Sequence, residues 1–146
     1  MGSFCADMEY GIGTTAAGIV ALRLMYVPPP DQVIWKAAAS YYARADLHRV
    51  GDGFASIEWI WDTISISRLS KILEFLGTAD SVALYVQSDK RDGTYPNPAA
   101  AFRVFSAIMW KPILSGQEGT PLARSPYVMQ TVKITFINTI ELAGYL

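Results

Sequence analysis

The sequence predicts a mainly β fold: an antiparallel β-sandwich or barrel-forming sheet with one packed α-helix. Three observations predict it. In residues 55–62, Ala55, Ile57, Trp59 and Trp61 alternate with Ser56, Glu58, Ile60 and Asp62, the period-2 pattern of a half-buried strand. Directly after it comes the one well-formed helix signal, in which Leu69, Ile72, Leu73 and Leu76 fall at i, i+3, i+4 and i+7. Most of the other apolar segments are rich in β-branched or aromatic residues and end at Gly, Pro or Asp-Gly.

Residues 1–17 are rich in Gly, Thr and Ala without a sustained period and read as an extended arm that orders on a partner. Ile19 to Val27 reads as the first strand, stopped by Pro28-Pro29-Pro30, because proline lacks the N–H a ladder needs. Residues 28–53 form a long loop or hairpin. Within it, Gln32 to Ala45 carries helix-favouring alanines but also Val33, Ile34, Trp35, Tyr41 and Tyr42, and reads as two extended pieces with a weak middle. Asp52-Gly53 suits a tight turn.

The helix, about 67–76, has Ser65 or Ser67 as its N-cap and Gly77 as its left-handed stop. Trp59 and Trp61 read as core anchors that seat its Leu69, Ile72, Leu73 and Leu76 face. Val82, Leu84 and Val86 continue as a strand, followed by a polar loop with Asp92-Gly93 and two prolines. Segments 101–111 and 128–142 complete about six strands, separated by a Gly/Pro-rich link near 115–126. On the first of these, Phe102, Val104 and Ile108 compete with Phe105, Ala107 and Met109 for the inward face.

Length and charge bound the function. A chain of 146 residues fits a single domain, 1–146, and can bury about 68–70% of its unfolded surface. Charged residues make up 17% of the chain, against roughly 25% in an ordinary soluble domain, so self-association meets little charge repulsion. The net charge of −1 gives no basic footprint for tight nucleic-acid binding. The longest apolar run, 18–27, is broken by Arg23 and is far shorter than the roughly 20 residues of a bilayer helix. The first 18 residues hold two acids and no base, unlike the charged start of a signal peptide. The expectation is synthesis in a cytoplasm and no membrane span.

Catalytic equipment is sparse. His48, with Asp46 and Arg49 close in sequence, is a formal general-base candidate, but a solvated turn histidine is the commoner case. Cys5 is the single cysteine, so it forms no intrachain disulfide and builds no thiolate metal site. Gly11, Gly13 and Gly18 match neither GxGxxG nor a Walker spacing. Trp35, Trp59, Trp61 and Trp110 could form a stacking platform, yet aromatics at alternating strand positions are more often core or interface. No enzyme activity, cofactor or metal is expected.

Long apolar strands on a chain with few charges create an edge problem, because unpaired strand edges template association. Closing the sheets of several copies into one barrel removes the edges. The residues also carry a family pattern: a strand ending in VPPP, a long loop, Gly51-Asp52-Gly53 leading into FASIEWIW, the helix SRLSKILEFLG, then VALYV, AIMWKP and TVKITF. Over residues 18–142 this order resembles the small tail tube proteins of long-tailed bacteriophages. The resemblance implies a structural virion protein of the viral tail, made in the host cytoplasm. Hexameric rings would stack into a tube that conducts DNA during ejection without binding it specifically, with other tail proteins as further partners. Candidate inter-subunit contacts are then Phe4, Tyr10 and Ile12 on the arm, and Trp35, Tyr41 and Tyr42 in the 28–53 segment. A tail-completion or baseplate component shares the pattern. The reading from another class is a monomeric sandwich that binds sugar or peptide through exposed tryptophans.

Overall fold

A computed structural model describes residues 9–38, 40–89, 102–112, 114 and 128–142. Among these described residues the strands are β1 (Gly11–Gly13), β2 (Val20–Ala21), β3 (Gln32–Lys36), β4 (Ser40–Ala43), β5 (Arg49–Asp52), β6 (Ser56–Ser65), β7 (Ser81–Asp89), β8 (Phe102–Trp110) and β9 (Val128–Glu141). One α-helix, α1 (Ile66–Leu73), joins β6 to the turn before β7, and short 3-10 turns occupy Ala16–Gly18 and Leu22–Met25. Seven strands form one sheet in the order β2-β1-β7-β8-β9-β6-β3, antiparallel throughout, while β4 and β5 form a separate two-stranded sheet.

The alternation in β6 sets the inner face. Ile57, Trp59 and Trp61 lie opposite Phe136, Ile134 and Val132 of β9, and all six side chains are buried. Leu84 and Val86 of β7 and Phe105, Ala107 and Met109 of β8 join the same core, which decides the inward face of β8. Phe102 and Val104 are buried as well, whereas Ile108 is only half-buried. In a flat sheet β6 and β7 would stand three strand spacings apart, roughly 14 Å at about 4.8 Å per strand. Instead the Trp59 indole Nε1–H donates to Ser88 Oγ on β7 at 2.9 Å. The sheet is therefore curled, and its inner faces meet around one core.

Aromatic edges fill the curl. The Trp59 ring meets Phe136 at 4.7 Å, Tyr10 at 5.7 Å and Trp61 at 6.2 Å between centroids, each edge to face, the arrangement ring quadrupoles favour. Tyr10 also meets Phe102 at 5.0 Å. The Trp61 indole donates to the Pro28 carbonyl at 3.0 Å, which ties the proline run to the core and satisfies a polar group burial would otherwise penalise.

The helix forms as its pattern dictates. Ser65 has extended backbone and its Oγ accepts the Arg68 N–H at 3.3 Å, an N-cap bond. Leu69, Ile72 and Leu76 are buried in the core, with Leu73 packed against it. The α-helix ends at Leu73, short of the expected 76: the Glu74 N–H still donates to the Ser70 carbonyl at 2.9 Å, but the N–H groups of Phe75, Leu76 and Gly77 bond three residues back. This tighter winding ends where the chain turns out at Gly77, whose φ of +58° needs glycine's freedom. In β9, Asn138 (φ 53°) sits in a bulge between the Ile108–Ile137 and Ser106–Ile140 pairs. The extra residue reverses the alternation, so Thr139 turns inward and Ile140 outward.

Three further expectations are corrected. Residues 9–17 are not a free arm: β1 hydrogen-bonds to β2 on one side and β7 on the other, and Ile12 is fully buried. The segment 19–27 is not one strand, since only Val20 and Ala21 pair and the chain then coils through Leu22–Met25. The described strands number nine rather than about six, because short pieces such as β1, β2 and β5 show no period of their own.

Candidate functional site

The β4–β5 hairpin stands apart from the main sheet. Its two strands pair only with each other, from Ser40–Asp52 to Ala43–Arg49, and every side chain from residue 42 to 49 is exposed. The turn is closed by local bonds. The Arg44 N–H donates to the His48 carbonyl at 2.9 Å, the Leu47 N–H to the Arg44 carbonyl at 2.8 Å, and the His48 N–H to Asp46 Oδ1 at 3.1 Å. Arg44 Nη2 and Asp46 Oδ2 are 3.3 Å apart on the surface. Leu47 occupies the tip with φ 67° and 86% of its surface exposed. Tyr42 and Phe54 are also exposed. A two-stranded hairpin is at best marginally stable alone in water, so this one gains from a surface to lie on.

A second feature lies where the Leu22–Met25 turn meets α1. An open groove of about 500 Å³ is lined by Leu24, Met25, Tyr26 and Phe75, together with Lys71, Glu74 and Thr14. Tyr26 caps the 3-10 turn in the left-handed region (φ 59°), its N–H reaching back to the Arg23 and Leu22 carbonyls, and it is 79% exposed. Alternation points Ile34, Glu58, Ile60 and Lys133 to the outward face of the sheet, together with the opposed pair Ile108 and Ile137. Trp110, 49% exposed, borders a groove there with Ile60, Pro112 and Lys133.

A third feature is a cleft of about 330 Å³ lined by Tyr10, Pro30, Asp31, Val33, Trp35 and Asp89. Asp31 Oδ2 accepts the Asp62 backbone N–H at 2.7 Å, and Asp89 is buried.

The residues singled out from the sequence fall into separate places. Trp59, Trp61, Leu69, Ile72, Leu73 and Leu76 meet in one core. Of the two candidate subunit contacts here, Ile12 is fully buried within its own chain because β1 is a sheet strand, while Tyr10 is half-buried and packs its ring on Trp59 and Phe102. Trp35 is half-buried on edge strand β3 against the core. Tyr42 is exposed on the hairpin and Tyr41 lies in its strand β4. Phe4 and Cys5 lie outside the described residues. The sequence signal for Leu24, Tyr26, Leu47 and Phe54 is slight: Leu47 and Phe54 are large apolar residues in otherwise polar turns, whereas Leu24 and Tyr26 are hidden in the apolar run 18–27.

His48 is exposed in the hairpin turn. Among the described residues no three His, Cys, Asp or Glu side chains converge where a metal ion could sit. Nor is any described helix long and apolar enough to cross a membrane. Compared with known proteins, the chain matches no protein-family model, no curated protein and no solved structure.

Proposed function

We propose that this chain is a structural subunit that assembles with its own copies into stacked rings, forming a hollow tube of the kind found in phage tails. The observation that carries the reading is the β4–β5 hairpin, which projects exposed apolar side chains and pairs with no strand of the main sheet. The outward sheet face supports it, since Ile34, Trp110 and Ile140 are exposed there on a chain that is only 17% charged. Such surfaces mark sites of association. The main sheet also ends in two edges, β2 and β3, each able to pair with a neighbour. The tube would conduct DNA through its bore without specific binding, and the near-neutral chain offers phosphate little to hold. A tail-completion or baseplate ring uses the same surfaces.

Sedimentation velocity over a concentration series tests the reading. Species at multiples of the 16.0 kDa chain, growing with concentration and lost when residues 40–52 are replaced by a short turn, are the expected result. A 16.0 kDa species at every concentration would overturn it.

A second reading is favoured by the cleft at Tyr10, Trp35, Asp31 and Asp89. Aromatic walls beside carboxylates suit a sugar or a cationic side chain on a monomeric binding module. It predicts a change in tryptophan fluorescence with a glycan or peptide panel, abolished by Trp35→Ala.

A further inference from the structure

Two exposed residues share an unusual backbone. Leu47 at the hairpin tip and Tyr26 at the groove rim both lie in the left-handed region, with φ of 67° and 59°. Glycine occupies that region without strain, whereas a bulky L-residue is held there against a steric penalty. Each side chain also faces water, with 86% and 79% of its surface exposed. Neither position gains from burial in its own chain, yet each carries a large apolar group where glycine would be the easier residue. Strain of this kind is an observed outlier from which a functional hypothesis can be drawn.

We infer that the groove between the Leu22–Met25 turn and α1 receives the hairpin tip of a second copy, with Leu47 inserted among Leu24, Met25, Tyr26 and Phe75. The inference rests on the assembly reading and names the contact that would join one copy to the next. Shape and polarity agree: the one large apolar side chain at the tip, Leu47, is exposed, and the groove of about 500 Å³ is open and lined mainly by apolar side chains. The tip does not fill the groove of its own chain, since Leu47 is exposed.

Charge chooses the occupant. Lys71 and Glu74 border the groove, and at i, i+3 they share one side of the helical turn. The tip carries the opposite pair, Asp46 and Arg44, joined to each other on the surface at 3.3 Å. On docking, Asp46 faces Lys71 and Arg44 faces Glu74, so each charge meets an opposite partner while Leu47 enters the groove beside them. A partner lacking this order of acid, base and apolar residue would leave the rim charges unmatched.

The test uses the full chain. Leu47→Gly deletes the inserted side chain and relieves the backbone, so the monomer keeps its fold and thermal stability. The concentration for half-assembly rises by at least about tenfold, as the loss of one well-buried leucine contact requires. Lys71→Glu weakens assembly similarly, and adding Asp46→Lys restores it. In a Cys5→Ser background, Leu47→Cys copies mixed with Phe75→Cys copies give a cross-linked dimer with a short bismaleimide. Rings that form at the wild-type threshold with Leu47→Gly, or that assemble without yielding the cross-link, overturn the docking and leave the tube reading standing. A wild-type chain that never assembles overturns both.

Discussion

Trp59→Ala probes the centre of the fold. The side chain is fully buried, donates to Ser88 Oγ at 2.9 Å across the curled sheet, and meets Phe136, Tyr10 and Trp61 edge to face. Truncating a buried tryptophan to alanine costs about 3–5 kcal/mol. Three ring contacts and one interstrand hydrogen bond are lost together, and the surrounding strands are fixed by their ladders, so the upper half of that range is expected. For a chain near this size, 1 kcal/mol moves Tm by about 2–4 °C, and the predicted loss is about 8–20 °C. A domain commonly holds about 5–15 kcal/mol in total, so the predicted loss takes from about a quarter of that stability to nearly all of it. Denaturant unfolding followed by far-UV circular dichroism measures it free of the change in tryptophan signal. Trp59→Phe, which keeps an aromatic ring but not the indole N–H, should lose about 1–2 kcal/mol, in line with one hydrogen bond and a small volume change. A loss below about 1 kcal/mol for Trp59→Ala would refute the claim that β6 and β7 are held together through this side chain.

Other substitutions test single elements. Gly13→Ala places a Cβ 2.6 Å from the Gly18 carbonyl oxygen and 2.9 Å from Ile19 Cα. These are backbone atoms that cannot swing aside, so thermal unfolding should show a loss of about 1–3 kcal/mol. Ser65→Ala removes the N-cap bond to Arg68 and should cost about 1 kcal/mol by denaturant unfolding. Deleting residues 1–17 removes β1 and the buried Ile12. It should therefore destabilise the sheet, by at least about 2–3 kcal/mol from Ile12 alone; unchanged circular dichroism melting would restore the free-arm expectation.

The elements legible in the sequence are those whose stability is local or whose period is long. The β6 alternation shows one face from Ser56 to Trp61 before it breaks at Asp62 and Thr63, and α1 announces its cap at Ser65 and its apolar stripe, though it ends at Leu73, ahead of the turn at Gly77. The two extended pieces with a weak middle between residues 32 and 45 appear as β3 and β4. What could not be read depends on neighbours far along the chain. Gly11-Ile12-Gly13 has two glycines and no period, and becomes a strand because β2 and β7 supply ladders on both sides. Ile19 to Val27 looks like a strand by propensity, and the Leu22 N–H still reaches the Tyr10 carbonyl at 2.9 Å in register with the β1–β2 pairing, but the chain then folds back, the Tyr26 N–H donating to the Arg23 carbonyl and the Val27 N–H to the Leu22 carbonyl. Neither Tyr26 nor Leu47 is a residue type that signals a left-handed backbone. Their exposure beside the groove and at the hairpin tip emerges only once the chain is folded.

Negative-stain electron microscopy of the purified chain across a concentration series tests the central claim most directly. The account predicts rings with a central bore that stack into tubes as concentration rises. Fields without rings or tubes at any concentration, from protein that circular dichroism shows to be folded, would contradict it.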